Sequence, residues 1–391
     1  MGYLYAAAGS LILVFVLLIL RKRPKATADY YLVAINVLIG CFMLADVLVQ
    51  RQLSSATLIF QNGVPLLLFP VFVLYVLAFL RTTDKLPKVW LLLFVPALLF
   101  FIGSLYDHFV AGNYPNEAAL MEHFNNPSLA YHLVFKGSQL GFMAVMVWLL
   151  RQLNRFERAL KQGYSTIDAV DLRWLIRFTW VYLASVIVTF VLFLGQNVGL
   201  FPVQIMEVFG VVYGLLVASV FYLNYQGIQH YTLTQVYQKG SLPEALVSLP
   251  DAAASEVPGR ELTHEEKVLE DKLLLLIEQQ QLYLEPKFSL DDLAELLGEN
   301  RHKVSKVINA RNDRTFYDLV NGYRVAHLQR LLDDPKQQQF TILALGLDSG
   351  FNSKASLNRI FKSVTGLSPR EYLDLKQKTA SKSGNRSQTI G

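Results

Sequence analysis

Apolar stretches close to the length of a helix that crosses a bilayer, roughly 20 residues, recur through the first part of this 391-residue chain. They are Tyr3 to Leu20, Tyr30 to Val49, Leu58 to Leu80, Val89 to Tyr106, Leu129 to Leu150, Trp174 to Gly195 and Val203 to Asn224. One water-soluble core cannot absorb so many, so seven transmembrane helices are expected. Charged residues make up only 17% of the chain, against about 25% in soluble domains. That excludes a disordered chain and argues against an ordinary soluble enzyme. Arg21, Lys22 and Arg23 follow the first stretch and no basic residue precedes it, the reverse of a secretory signal, so it is read as a span. Cys41 is the single cysteine, which rules out an intrachain disulfide or a cysteine-rich zinc site.

Basic residues stay on the cytoplasmic side of a membrane, and here they alternate between loops. The first loop carries Arg21, Lys22, Arg23 and Lys25, the third Arg81, Lys85 and Lys88, and the fifth Arg151, Arg155, Arg158, Lys161 and Arg173. The second loop has only Arg51; the fourth, Asp107 to Ser128, and the sixth have no Lys or Arg. The N-terminus is therefore expected outside and everything beyond Asn224 in the cytoplasm. Four parts result: a seven-span sensor (1–225), a flexible linker (226–262) broken by Gly240, Pro243, Pro250, Pro258 and Gly259, a helical domain (263–376), and a disordered basic tail (377–391).

Thr263 and Glu266 form a capping box ahead of a helix that carries Val268, Leu269, Leu273, Leu276 and Ile277 on one face. Ser289 caps a short helix that Gly298 ends, and a second helix spans Asn300 to Asn309. On that second helix Val304, Val307 and Ile308 face inward. His302, Ser305, Lys306 and Asn309 then face outward, with Arg301 and Lys303 at the margins. A helix from Thr341 to Leu347, a turn through Asp348, Ser349 and Gly350, and a helix from Ser353 to Ser363 repeat the arrangement. There Leu357, Ile360, Phe361 and Val364 are expected inside. Ser353, Lys354, Ala355, Asn358, Arg359 and Lys362 are left for the open side. Phe316, Leu319, Val320 and Tyr323 stand at helical spacing for a long helix joining the units. From Asn300 onward bases such as Arg311, Arg314, Arg324 and Arg330 clearly outnumber acids, an electrostatic footprint for a polyanion. Arg and Lys neutralise phosphates, while Asn, Arg and small residues read base edges.

The segment GFNSKASLNRIFKSVTGLSPREY, Gly350 to Tyr372, resembles the pattern G-F-x-S-x-x-x-F-x-R-x-F-K-x-x-x-G-x-[ST]-P-x-x-Y of the AraC/XylS transcription regulators. The resemblance covers about Glu265 to Leu375, and SLDDLAELLG and HKVSKVIN are similar to the first helix-turn-helix of that family. Two positions depart from it: Leu357 stands where Phe is usual, and Gly346 where Ala is usual inside a helix, at an expected cost of about 1 kcal/mol. The seven spans replace the usual soluble sensor, as in the family's membrane-embedded branch. The resemblance implies an all-α chain, a seven-helix transmembrane bundle followed by two helix-turn-helix units joined by a long helix, anchored in a bacterial inner membrane. It implies a regulator that binds double-stranded promoter DNA, with RNA polymerase, a second copy of the chain and the lipid bilayer as further partners.

Polar residues in membrane segments are costly and hence functional candidates. Asp46, Asn62, His132, Lys136, Gln139 and Glu207 gather at the expected outer ends of spans and are read as a pocket for an unknown small-molecule or lipid signal. Pairing between helices and snorkelling to headgroups explain the same residues. Asn62, Gly63, Pro65 and Pro70 point to a broken or kinked third span. Asp107, His108, His123 and His132 fit no tight metal-ligand spacing, so no catalytic set, metal or cofactor is expected. A transporter or channel with a regulatory cytoplasmic domain is the alternative, without visible inverted half-repeats.

Overall fold

The computed structural model describes residues 2–23, 25–50, 55–80, 88–109, 129–167, 172–197, 206–229, 261–310, 314–337, 339–376 and 378. The chain is all-α. The described residues of each of the seven apolar stretches fall on a helix: α1 (Gly2–Arg21), α2 (Thr27–Gln50), α3 (Ser55–Leu80), a 3-10 turn (Lys88–Phe94) continued by α4 (Val95–Phe109), α5 (Leu129–Gly163), α6 (Arg173–Asn197) and α7 (Met206–Gln229). Among the described residues six more α-helices follow: α8 (His264–Gln279), α9 (Leu290–Leu297), α10 (Arg301–Ala310), α11 (Phe316–Asp333), α12 (Ile342–Asp348) and α13 (Lys354–Thr365). The described residues divide into two compact units. One holds Met1–Asn154 with Val170–Leu242, the other Arg155–Ala169 with Pro243–Gly391.

In the first unit α3 is the central helix. The window Gly63–Leu80 is 83% buried, whereas Lys88–Tyr106 is 11% buried. Helix α3 runs unbroken through Pro65 and Pro70, where the sequence pointed to a break or kink. Gly63 explains the tolerance for close packing: a Cβ there would lie 2.2 Å from the Phe101 ring, so only a bare backbone lets α4 approach. Leu13, Leu17, Leu92, Leu98, Trp180 and Val191 point outward and are exposed. Four helical windows among the described residues, Thr27–Ala45, Gly63–Leu80, Lys88–Tyr106 and Arg173–Leu192, are long and apolar enough to cross a membrane, and Ala8–Arg21 is a shorter apolar helix.

Several buried polar groups of this unit are paired between helices. Asn36 and Asn224 exchange two amide hydrogen bonds (2.6 and 2.9 Å) between α2 and α7. Lys22 Nζ donates to Asp29 (3.0 Å) and to the Gly227 carbonyl (3.1 Å).

In the second unit the Thr263–Glu266 capping box forms as expected. Leu269, Leu273 and Ile277 are buried along one row of α8, but Val268, expected on the inner face, is 55% exposed. The row at i, i+4 and i+8 takes the core, and its neighbour one residue back is turned about 100° away. These three side chains pack with Phe288, Leu293, Leu297, Val304, Val307, Phe316 and Val320 in one apolar cluster.

Candidate nucleic-acid interface

The first helix-turn-helix is built from local capping chemistry. Ser289 Oγ accepts the Asp292 amide (3.2 Å), and the Asp292 carboxylate accepts the Ser289 amide (2.9 Å) and hydroxyl (2.7 Å). Gly298 ends α9 at φ +65, a conformation that favours glycine. The Asn300 side chain then accepts the His302 amide (2.8 Å) and opens α10. Val304, Val307 and Ile308 are buried, while His302 and Lys303 are exposed and Arg301, Ser305, Lys306 and Asn309 half-exposed. The bases of this face are held by acids of their own unit. Arg301 Nη1 lies 2.7 and 2.8 Å from the Asp291 oxygens, Lys303 Nζ 3.0 Å from Glu299 and Lys306 Nζ 3.8 Å from Glu266. Water-exposed ion pairs of this kind contribute about 0–1 kcal/mol, so a phosphate can displace the carboxylates cheaply. Asn309 Nδ2 donates to Ser305 Oγ (3.3 Å), keeping both polar groups on one turn.

The second unit repeats the plan with tighter constraints. Thr341 Oγ1 accepts the Ala344 amide (3.1 Å) to start α12. Gly350 turns the chain at φ +86, and a Cβ there would meet the carbonyl oxygens of Tyr283 and Leu284 at 2.5 and 2.9 Å. Ser353 Oγ accepts the Ser356 amide (3.1 Å). Ser353 is thus a half-buried helix cap at the start of α13. Lys354, Ala355, Asn358 and Lys362 are exposed. Arg359 is half-buried, and its Nη1 donates to the Tyr317 hydroxyl (2.8 Å), which braces the guanidinium against the first turn of α11. Leu357, Ile360 and Phe361 are buried, but Val364, expected beside them, is 54% exposed. It sits in the last turn before Gly366 ends α13 at φ +81, so burial stops one turn short of the helix end. Tyr372 closes the motif, its ring edge-on to Phe361 at 5.6 Å and its hydroxyl donating to Asp333 (3.2 Å).

A family model described as a helix-turn-helix domain matches residues 293–374. These residues form an AraC-type helix-turn-helix domain. The domain makes the chain a sequence-specific DNA-binding protein that regulates transcription. No curated protein and no solved structure matches the chain.

Within this AraC-type domain one basic residue does not belong to the polyanion footprint. Arg324, counted there from the sequence, is 1% exposed. Its Nε donates to the Tyr283 carbonyl (2.7 Å) and its Nη2 to the Glu285 carbonyl (2.8 Å). Three further bonds go to Ser165 and Thr166, residues that the sequence places in the fifth loop, far upstream. Apart from Asn321, whose Oδ1 accepts from Nη1 (3.2 Å) one turn back, its partners lie 39 to 159 residues away, so spacing along the chain does not reveal the clamp. Beside Ser165, the Tyr164 phenol is pushed up to about 12 by burial and the nearby Asp291 carboxylate, with Arg301 opposing. His327 Nδ1 lies 3.1 Å from Ser349 Oγ. Burial, with the Arg330 charge, lowers its pKa against an opposing pull from Asp348.

The side chains of Asp46, Asn62, His132, Lys136 and Glu207, expected to line a signal pocket, lie outside the described residues. Gln139 is described, and its buried Oε1 has no hydrogen-bond partner among the described residues. The first unit instead shows an apolar cavity lined by Ile35, Ile39, Phe72, Phe178, Tyr182 and Leu223 among others.

Proposed function

We propose that the chain is a membrane-tethered one-component transcription regulator. Its first part is a seven-span sensor (1–225), joined by a linker (226–262) to the AraC-type domain (263–376) and a basic tail (377–391). The reading rests on one observation. A domain with two capped helix-turn-helix units shares a chain with helices whose outward faces carry bare Leu, Val and Trp side chains. Apolar surface of that extent is unfavourable in water and suits lipid. The alternation of basic loops orients the N-terminus outward and the AraC-type domain into the cytoplasm.

The first reading helix presents Arg301, His302, Lys303, Ser305, Lys306 and Asn309, and the second Lys354, Ala355, Asn358, Arg359 and Lys362. Two such helices in one monomer suit successive major-groove segments of double-stranded promoter DNA. A signal sensed in the bundle controls occupancy, through a second copy of the chain or through RNA polymerase as partner. The lining of the cavity between α2, α3, α6 and α7 supports an apolar signal molecule or lipid.

The test is fractionation of cells that carry the tagged full-length chain, followed by cross-linking and sequencing of the DNA it retains. The expected result is full-length protein in the membrane fraction with DNA sharing a two-part motif. Recovery in the soluble fraction refutes the tether, and DNA without a common motif refutes base reading by these helices.

A further inference from the structure

The residues that follow the apolar part of α5 fold with the AraC-type domain. Helix α5 continues past Leu150 to Gly163, and Arg155–Ala169 groups with the second unit. Tyr164 forms an antiparallel bridge with Ser289, the cap residue of the first helix-turn-helix. The Ser165 amide donates to the Phe288 carbonyl (3.3 Å), and its hydroxyl donates to the same oxygen (2.5 Å). Thr166 Oγ1 donates to the Pro286 carbonyl (2.8 Å). From the other side Asn321 Nδ2 and Arg324 Nη1 both donate to the Ser165 carbonyl (3.0 and 3.1 Å). Arg324 also donates through Nη1 to Thr166 Oγ1 (3.2 Å) and through Nη2 to Ser165 Oγ (3.1 Å). Ser165, Asn321 and Arg324 are each 1% exposed.

This junction ties the bridging helix α11 to the segment that leads into the first helix-turn-helix. Arg324 is on the bridging helix α11, it grips the connection ahead of α9 at Tyr283 and Glu285, and its Nε lies 3.0 Å from where a Cβ on Gly350 would stand. A buried guanidinium that loses part of its acceptors is destabilised, and Tyr283, Glu285 and Asn321 alone would remain to Arg324 of the acceptors named above. With Tyr164–Ile167 withdrawn, Arg324 loses three hydrogen bonds, and the carbonyls of Pro286 and Phe288 lose their donors.

We propose that Tyr164–Ile167 is a strap that completes the DNA-binding unit. Seated, it locks the bridging helix to the first helix-turn-helix and holds both reading helices in the arrangement that reads DNA. Unseated, it frees them. The strap is a direct continuation of α5, so rotation of that helix sets its seating. This coupling rests on the reading of Leu129–Leu150 as a membrane span, while the seating itself does not.

The test uses the full-length chain in phosphatidylethanolamine/phosphatidylglycerol nanodiscs, read by amide hydrogen exchange and by selection from a random double-stranded DNA library. Ser165→Ala with Thr166→Val keeps the shape and removes both hydroxyls. Peptides over 283–289 and 316–325 are expected to exchange at least about tenfold faster, with those over 64–80 unchanged, and motif enrichment is expected to fall. Exchange unchanged within about twofold overturns the strap. Faster exchange with undiminished enrichment overturns its control of DNA reading. One alanine inserted after Asn154 turns the strap by about 100° and is expected to reproduce the variant, whereas a six-residue Gly/Ser insertion there restores seating. An alanine insertion without effect overturns the coupling. A soluble full-length chain, seen in fractionation, refutes the tether without touching the seating result.

Discussion

Gly346→Ala is expected to destabilise the second helix-turn-helix, although helix propensity alone says the opposite. Alanine in place of glycine inside a helix gains about 1 kcal/mol. Here the new Cβ would stand 2.7 Å from Leu357 Cδ2, 3.0 Å from Cδ1 and 3.3 Å from Cγ. Leu357 is 1% exposed, so a shift of its branched end has to be taken up inside the core. Overpacking a filled site costs about 1–3 kcal/mol, so with a mid-range cost of about 2 the net loss is about 1 kcal/mol. Native-state amide exchange of the full-length chain in nanodiscs reads this as roughly fivefold faster exchange across 354–365. The same substitution in a Leu357→Ala background should change sign, since the clash is gone and the propensity gain of about 1 kcal/mol remains. Slower exchange on Gly346→Ala in the wild-type background, or an equal effect in both backgrounds, refutes the reasoning. The two departures from the family pattern are then one feature: glycine on α12 makes room for the branched end of Leu357 on α13.

Three further outcomes are expected. Arg359→Ala should cost about 1–3 kcal/mol of specific binding and relax the preferred base at one position; Tyr317→Phe, which removes only the brace at 2.8 Å, should cost roughly 0.5–1.5 kcal/mol, and a loss as large as that of Arg359→Ala in a binding titration would contradict the bracing role. Lys306→Ala should weaken binding to all sequences alike and reduce the slope of log affinity against log salt by about 1; a base-specific effect would place it in the groove instead. The lowered pKa of His327 means the unfolded chain binds more protons than the native one below its ordinary value of 6.5. The stability of α11–α12 packing is therefore expected to fall as pH drops through 6.5 toward the folded value. Exchange across 342–350 measured between pH 5 and 7.5, after correction for intrinsic rates, should lose this dependence in His327→Gln, and a dependence that persists would assign it elsewhere.

Most of the helices were legible because their causes are local. An apolar run of bilayer length, a capping box at Thr263–Glu266 and a left-handed glycine at Gly298 or Gly366 each act within a few residues. The outward faces of α10 and α13 followed from the same periodicity, and only the edges of that reading shifted. Val268 and Val364 went to the surface. Sequence by itself therefore determined the all-α class, the AraC-type domain and which faces of α10 and α13 stay open. Tertiary structure alone decided where the charges go. It showed that Arg324 is a buried clamp rather than part of the polyanion footprint, that Arg359 is braced by Tyr317, and that Gly346 answers Leu357. It also drew Ser165 to Arg324 across 159 residues. The physical reason is common to all of these: a buried polar or close-packed group is defined by the partner that satisfies it, and that partner is chosen by the fold rather than by spacing along the chain.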